Sequence, residues 1–330
     1  MTTDITATTF LRDQLVNRRE RLQSVIATTR ETGGLVELLN EVDSALERMD
    51  NGTYGICEVC HETVEAERLI ADPLMRYCLE HLSREQQRAL EQDLQLAAQM
   101  QRELLPPQGL RHHGWEIAYY YQPLGPVSGD YCDVIARNSD SDGLFFALGD
   151  ASGKGVAASM LMAHLHAIFR TLVATGLPVD ELVERASRVF CETTMSPYFA
   201  TLVCGRAAAS GEVEICNAGH CPPLVIRGHE VTSLEATGLP LGMFCDGSYS
   251  ARRLTLVPGD TLFLYTDGVS ESRSANHEEY GDGRLARVVA ESQALPLEAL
   301  VRIAVKDLAD FRAGAPAHDD VTVMAVRRRG

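Results

Sequence analysis

The sequence lacks a long hydrophobic run, an export signal and an excess of positive charge. No stretch approaches the ~20 apolar residues that a membrane-spanning helix needs. The N-terminal segment MTTDITATTFLRDQ has no basic region followed by an apolar one, which a secretory signal would show. Against 30 Lys and Arg stand 46 Asp and Glu, a net charge of −16 that repels nucleic-acid phosphates. We therefore expect a cytoplasmic protein that binds neither membranes nor nucleic acid directly.

The chain has nine cysteines, an odd number, and no export signal accompanies them. This combination argues against a disulfide framework and predicts reduced thiols or metal ligands. Six of the nine lie mostly in apolar runs, and we expect them to be small core residues: Cys132, Cys191, Cys204, Cys216, Cys221 and Cys245.

The other three cysteines and one histidine have the spacing of a zinc site. Cys57 and Cys60 form a C-x2-C pair, and after seventeen residues Cys78 and His81 repeat the same interval. Two such pairs close a tetrahedral zinc site, and four protein ligands leave no position open for catalysis. The spacing predicts one structural zinc ion within residues 51–82. His61 is the alternative to His81.

Helical periodicity surrounds this module. Residues 1–50 predict a helical hairpin that bends near Gly33, and residues 83–107 predict a linker whose helix runs from Ser83 to Leu105. Residues spaced at intervals of three and four form an apolar stripe along that helix. We favour the interpretation that the stripe is a homodimer seam; because one of its positions is polar, it also fits a helix docked on its own domain. Its members are Leu90, Leu94, Ala97, Gln101 and Leu104.

Residues 108–330 mix short strand-like runs with longer helical stretches. Helices are predicted near 155–175, 178–195, 281–292 and 296–313. The strands are grouped rather than alternating regularly with helices, which favours an α+β sandwich over a doubly wound parallel sheet.

Five aspartates of this region stand at the ends of apolar strands or beside tight turns: Asp130, Asp150, Asp267, Asp319 and Asp320. A single Asp before Gly is commonly a turn residue that bonds its own backbone. Several carboxylates gathered at one edge, however, need cations to neutralise them, and hard oxygen ligands select Mg²⁺ or Mn²⁺. Nearby glycines would let a backbone carbonyl such as that of Ala151 join the ligands.

Motifs for side-chain nucleophiles are missing from the chain. It has no Cys-x5-Arg loop, no G-x-S-x-G elbow, no HExxH helix, and GDASGKG lacks the spacing of a P-loop. A pair of ions ~3.5–4 Å apart can activate a water for phosphoryl transfer without any such nucleophile. The aspartates therefore predict a metal-dependent hydrolase.

A resemblance to a known family covers residues 115–328. The segments PVSGDYCD, GDASGKGVAASMLM, FATLVCG, CNAGHCPPLVI, GLPLGMF, GDTLFLYTDGVSES and HDDVTV, with LAAQMQRELLP ahead of them, resemble the SpoIIE/RsbU-like branch of the PPM-type protein Ser/Thr phosphatases. The resemblance implies a β-sandwich of two antiparallel sheets flanked by helices. It also implies two or more Mn²⁺ or Mg²⁺ ions.

The same resemblance implies roles for individual residues. Asp150 would bridge the ions beside the Ala151 carbonyl, and the other ligands would be Asp130, Asp267 and Asp319, with Asp320 as the alternate for Asp319. Asp133 would support them from behind, while Ser128 and Gly129 would form the turn that presents Asp130. Lys154 departs from the family, which usually has histidine there.

The resemblance further implies a substrate and a control element. The substrate would be a phosphorylated regulatory protein of the anti-sigma-factor-antagonist type, and the helix ahead of the domain would transmit a signal to the metal site.

A second resemblance covers residues 40–82. The run GTYGICEVCHETVEAERLIADPLMRYCLEH is similar to the zinc finger of the DksA/TraR family, whose members act on RNA polymerase through a long hairpin with aspartates at its tip. Here the bend reads ATTRETGGL, with no Asp, and the hairpin is short, so that activity is not carried over. Two alternatives remain: a transcription modulator that contacts RNA polymerase and has a non-catalytic large domain, and a redox or metal sensor built on the zinc site.

Overall fold

The computed structural model describes residues 5–28, 33–81, 84–136, 143–194 and 197–330. The chain divides into two compact units, residues 1–93 and residues 94–330.

In the first unit, helices α1 (Ile5–Thr28) and α2 (Gly33–Asp50) run antiparallel. Ion pairs join Arg12 to Asp50 at 2.7 Å and Arg19 to Asp43 at 3.9 Å, so earlier residues of α1 lie beside later residues of α2. Buried apolar side chains of both helices, among them Leu15, form the contact. The two predicted N-terminal helices are confirmed, while most of the bend that joins them, residues 29–32, lies outside the described residues.

The segment after α2 is compact but has little regular structure. It contains the short helix α3 (Ala66–Ala71), a bridge between Ile56 and Thr63, and a 3-10 turn at Leu79–His81. Its small core includes two of the cysteines, Cys57 and Cys78. A segment with so few buried apolar side chains needs an additional source of stability, such as a metal ion.

Helix α4 (Arg84–Leu104) matches the predicted linker helix closely. Its last turns belong to the second unit, where Gln101 is buried and Leu104 packs against the core. The predicted docking of the stripe on its own domain is therefore observed at this end of the helix.

The second unit is a sandwich of two antiparallel sheets. The first sheet has the order β1-β2-β11-β10-β7-β8 and the second has the order β3-β4-β5-β6-β9. The strands are β1 (Arg111–His112), β2 (Trp115–Gln122), β3 (Asp130–Ala136), β4 (Leu144–Ala151), β5 (Ala200–Ala207), β6 (Glu212–Ala218), β7 (Leu224–Arg227), β8 (Glu230–Ser233), β9 (Arg252–Thr255), β10 (Thr261–Tyr265) and β11 (Val321–Arg328).

Helices cover both outer faces of the sandwich. The helices of this unit are α5 (Gly155–Val173), α6 (Val179–Thr193), α7 (Asp267–Ser270), α8 (Asp282–Glu291) and α9 (Leu297–Arg312). Residues of α5 and α6 share a core with the outer face of the second sheet, and residues of α8 and α9 do so with the first. A third core, which includes Phe146 and Met324, fills the space between the sheets. The predicted α+β sandwich is confirmed.

Helix α5 has the length and apolar composition of a membrane span. In the fold, however, Met162, Leu165 and Phe169 are buried against the second sheet. The apolar composition of α5 is thus explained by a position in a protein core.

One cysteine pair corrects the sequence-based prediction. Cys191, at the end of α6, is disulfide-bonded to Cys245, which lies in the connection between β8 and β9. The prediction that both are unpaired core residues is wrong. The connection crosses the end of α6, where a Cβ on Gly242 would lie 2.6 Å from the Phe190 ring. The disulfide joins two cysteines that are 54 residues apart in sequence.

Candidate active site

The five predicted aspartates meet at one end of the sandwich because of strand pairing. Asp130 begins β3 and lies directly opposite Asp150 on β4. Partners in an antiparallel pair project from the same face, so their carboxylates are neighbours. In the other sheet, β10 ends before Asp267 and β11 begins after Asp319, and these ends pair through Tyr265 and Val323.

Asp130 is almost completely buried, with 1% of its surface exposed. Thr266 donates a hydrogen bond to its Oδ2 at 3.1 Å, and the Thr322 hydroxyl donates to the same oxygen. Burial and the neighbouring Asp150 raise the pKa of Asp130 well above its ordinary value, although these hydroxyls lower it. The site therefore contains a desolvated carboxylate of the second sheet that is held by two hydroxyls of the first.

Asp150 and Asp267 show the electrostatics of crowded acids. Burial, followed by repulsion from Asp267, Asp319 and Asp320, raises the pKa of Asp150 to about 8. Burial and repulsion from Asp319 and Glu271 raise the pKa of Asp267. Carboxylates that raise one another's pKa in this way can be neutralised by a divalent cation. Their oxygen atoms are the ligands that Mg²⁺ and Mn²⁺ prefer. The residues present therefore fit a metal centre.

The adjacent Asp319 and Asp320 have different surroundings. The two carboxylate oxygens of Asp320 accept hydrogen bonds from the backbone of Leu124 at 2.6 Å and Gly129 at 2.9 Å. Asp319 instead faces the cavity, where Lys154 Nζ donates to its Oδ2 at 2.8 Å. Asp320 thus positions the segment before β3, and Asp319 remains directed at the site.

Close backbone packing brings the turns together. A Cβ on Gly268 would lie 1.8 Å from the carbonyl oxygen of Asp320, so only glycine fits there. A Cβ on Gly129 would lie 3.0 Å from the Ala151 carbonyl oxygen and 3.2 Å from Asp150 Oδ1. The Ala151 carbonyl therefore lies beside the acidic cluster, as the sequence predicts.

A cavity of about 400 Å³ opens at the cluster. Acidic groups and basic groups share its wall, and the volume suits a small ligand such as a phosphorylated side chain. The charged and histidine residues that line it are Lys154, Asp267, Glu271, Arg273, His277, His318 and Asp319.

Asp133 does not support the cluster. Its neighbour Tyr131 packs in the core beneath α5, while Cys132 packs between the sheets. Asp133 projects from the same face of β3 as Tyr131, toward α5. It accepts two hydrogen bonds from Arg170 of that helix, at 2.8 and 2.6 Å. The predicted supporting role is wrong because alternation along β3 turns this side chain away from Asp130.

The cysteine module forms a second, separate cluster. The ligand atoms of Cys57, Cys60, Cys78 and His81 all lie within 4.8 Å of one another, whereas His61 is not a member. Burial alone would raise the pKa of Cys57, but hydrogen bonds from the backbone around Cys60 and Cys78 lower it to about 6. Burial and the neighbouring thiols raise the pKa of Cys78 to about 11, so Cys57 is the thiolate of the cluster. A stabilised thiolate favours metal binding.

The residues around Asp130 include some that sequence reasoning missed. Thr266 and Thr322 were not predicted to contact the cluster, although each flanks an acidic motif, in YTD and DDVT respectively. Gln101 was noted only as a polar member of a stripe. Its amide binds Ser128, in the turn that precedes Asp130.

Comparisons with known proteins identify the family of the chain. A family model described as Stage II sporulation protein E (SpoIIE) matches residues 140–329, and one described as the prokaryotic dksA/traR C4-type zinc finger matches residues 52–80. Protein IcfG of Synechocystis sp. is 27% identical to this chain. The aligned part covers 72% of this chain and 41% of the length of IcfG. Phosphoserine phosphatase RsbU of Bacillus subtilis is 26% identical over 74% of this chain, which spans 72% of RsbU.

A solved structure shares the fold. The SiaA-PP2C domain of Pseudomonas aeruginosa superposes with a TM-score of 0.64 at 19% sequence identity, covering 73% of this chain and 97% of that domain.

Proposed function

Because this chain belongs to the SpoIIE family, we propose that it is a metal-dependent phosphatase that removes phosphate from serine or threonine of a regulatory protein. One observation carries the proposal. Asp130 and Asp150 on strands of the second sheet meet Asp267 and Asp319, which adjoin strands β10 and β11 of the first sheet and line a cavity.

We assign the ligands of two or more Mn²⁺ or Mg²⁺ ions to Asp130, Asp150, Asp267 and Asp319, together with the Ala151 carbonyl. When bound, such ions would supply an activated water and neutralise the phosphoryl oxygens. Asp150 must release its proton before it binds a cation.

The surrounding residues position this set. Thr266 and Thr322 orient the Asp130 carboxylate through their hydroxyls. Asp320 fixes the preceding turn through its two backbone contacts, so we assign it a positioning role, with Asp319 as the ligand. Lys154 lies at the cavity wall and offers a positive charge to a phosphate dianion.

The proposal extends to the substrate protein, the cellular compartment and the role of the zinc module. RsbU is described as a phosphoserine phosphatase, and by similarity we infer a phosphorylated anti-sigma-factor antagonist as substrate, in the cytoplasm. We propose that the Cys57–Cys60–Cys78–His81 cluster holds one structural zinc ion. The zinc module would regulate the phosphatase through α4, in a homodimer formed along residues 83–105 by the part of the helix ahead of Gln101, since Gln101 and Leu104 pack against the chain's own second unit.

The alternative is a transcription modulator with a non-catalytic large domain, and the match to the dksA/traR zinc finger favours it. The complete set of acidic residues in the second unit argues against that alternative, because a binding platform would have no need of it.

The test compares manganese-dependent hydrolysis of p-nitrophenyl phosphate and of a phosphoserine peptide in four proteins. We expect turnover in the wild-type chain and in Asp310→Asn, an exposed aspartate paired with Lys306 on α9. We expect no turnover in Asp150→Asn or Asp267→Asn. A correctly folded, manganese-loaded wild-type chain without turnover would favour the transcription modulator.

A further inference from the structure

Gln101 is a polar residue in the apolar stripe of α4, and it is buried, with 6% of its surface exposed. Its side chain makes two hydrogen bonds to one residue. Nε2 donates to the Ser128 carbonyl oxygen at 2.7 Å, and Oε1 accepts from the Ser128 backbone N–H at 3.0 Å. The carboxamide thus pairs with both backbone polar groups of Ser128, as a neighbouring strand would.

Ser128 is coupled directly to the acidic cluster. The backbone N–H of Asp130 donates to Ser128 Oγ at 3.0 Å, and the backbone N–H of Gly129 donates to Asp320 at 2.9 Å. Two segments that are distant in sequence, those of Gln101 and Asp320, therefore fix the turn that ends at Asp130. One of these segments is α4.

We propose that Gln101 is a positioning residue of the metal site: its carboxamide holds the Ser128–Gly129 turn so that the Asp130 carboxylate faces the cations. The proposal rests on the proposed function and deepens it. It names the atoms through which α4 contacts a metal ligand.

Few other side chains can do this. A methionine of similar length would leave the buried N–H and C=O of Ser128 without partners, which is costly. Asparagine has the same functional group but is one methylene shorter, so it cannot reach both atoms from the same helix position. Glutamine is therefore required by both its chemistry and its length.

The variants Gln101→Met and Gln101→Asn test this, with Gln99→Met as the matched control because Gln99 is exposed on the same helix. Hydrogen exchange at the Ser128 amide reports the contact itself. Titration with Mn²⁺ by calorimetry reports the site without any need for turnover. We expect each Gln101 variant to exchange about tenfold faster at Ser128 and to bind Mn²⁺ about tenfold more weakly, and the control to match the wild type.

Excess Mn²⁺ separates positioning from folding. It should restore most of the turnover number of Gln101→Met, because Asp130 is still present, whereas an unfolded domain would not recover. Exchange and Mn²⁺ affinity in Gln101→Met equal to those of Gln99→Met would overturn the proposal. If the wild type binds Mn²⁺ but hydrolyses nothing, the proposed function fails while the exchange and binding results still decide the role of Gln101.

Discussion

Replacing Asp150 with asparagine should stabilise the metal-free protein, and the gain should depend on pH. In the folded chain the pKa of Asp150 is raised from 3.8 to about 8, first by burial and then by the surrounding carboxylates. An unfolded Asp150 loses its proton near pH 4, whereas the folded one keeps it until about pH 8. Stability should therefore fall as the pH rises between these values and level off above about pH 8. Asparagine has no proton to lose, so the variant should lack this contribution to the fall.

The structure sets the size of the effect. The shift in pKa corresponds to at most about 6 kcal/mol, at about 1.4 kcal/mol per unit. Asp150 is only partly shielded from solvent, and screening by water reduces the value, so we expect about 2–3 kcal/mol in favour of the variant near pH 8. Near pH 5 the difference should fall below about 1 kcal/mol.

Urea unfolding of the full chain without added divalent ions measures this difference. The fluorescence of Trp115, the only tryptophan, reports on the second unit, since it is completely buried there. Added Mn²⁺ should reverse the order, because it stabilises the wild type by binding and has little effect on the variant. Asp310→Asn serves as the control. A difference between variant and wild type that stays constant from about pH 5 to about pH 8 would refute the reasoning.

Three further outcomes follow from other contacts. Cys78→Ser should release zinc, measured with a chromogenic chelator, and unfold the first unit, because such a small core depends on its metal; retained helical structure without zinc would contradict this. Arg170→Met should remove the guanidinium partner of the buried Asp133, leaving it the weaker contacts of Tyr131, the Val134 N–H and His166, and lower the free energy of unfolding by about 3 kcal/mol, with Mn²⁺ affinity unchanged; weaker Mn²⁺ binding would instead return Asp133 to the metal site. Lys154→Met should strengthen Mn²⁺ binding about threefold by calorimetry, because an exposed cation no longer competes for Asp319; weaker binding would make Lys154 a supporting group.

The strands and most of the acidic cluster could be predicted because they depend on local patterns. Apolar runs that end near Asp150 or Asp267, or that follow Asp130, mark both a strand and its functional end. Contacts between distant segments could not be predicted. Nothing in the spacing shows that Cys191 meets Cys245, since this depends on how a long connection crosses α6.

The same limit applies to neighbouring acids. Alternation along β3 shows that Asp130 and Asp133 face opposite sides, but only the packing of α5 shows that Arg170 is the partner of Asp133. The choice between Asp319 and Asp320 needs the backbone contacts of the latter.

The pairing of β2 with β11 along eight residue pairs has a consequence for synthesis of the protein. Strand β2 finds its neighbour β11 only after about two hundred further residues have been translated, and Asp320, which secures the turn before β3, emerges with that neighbour. Contacts over so long a sequence distance form slowly. A nascent chain on the ribosome would therefore have no assembled metal site, and phosphoproteins nearby would be safe from premature hydrolysis until the last strand is in place.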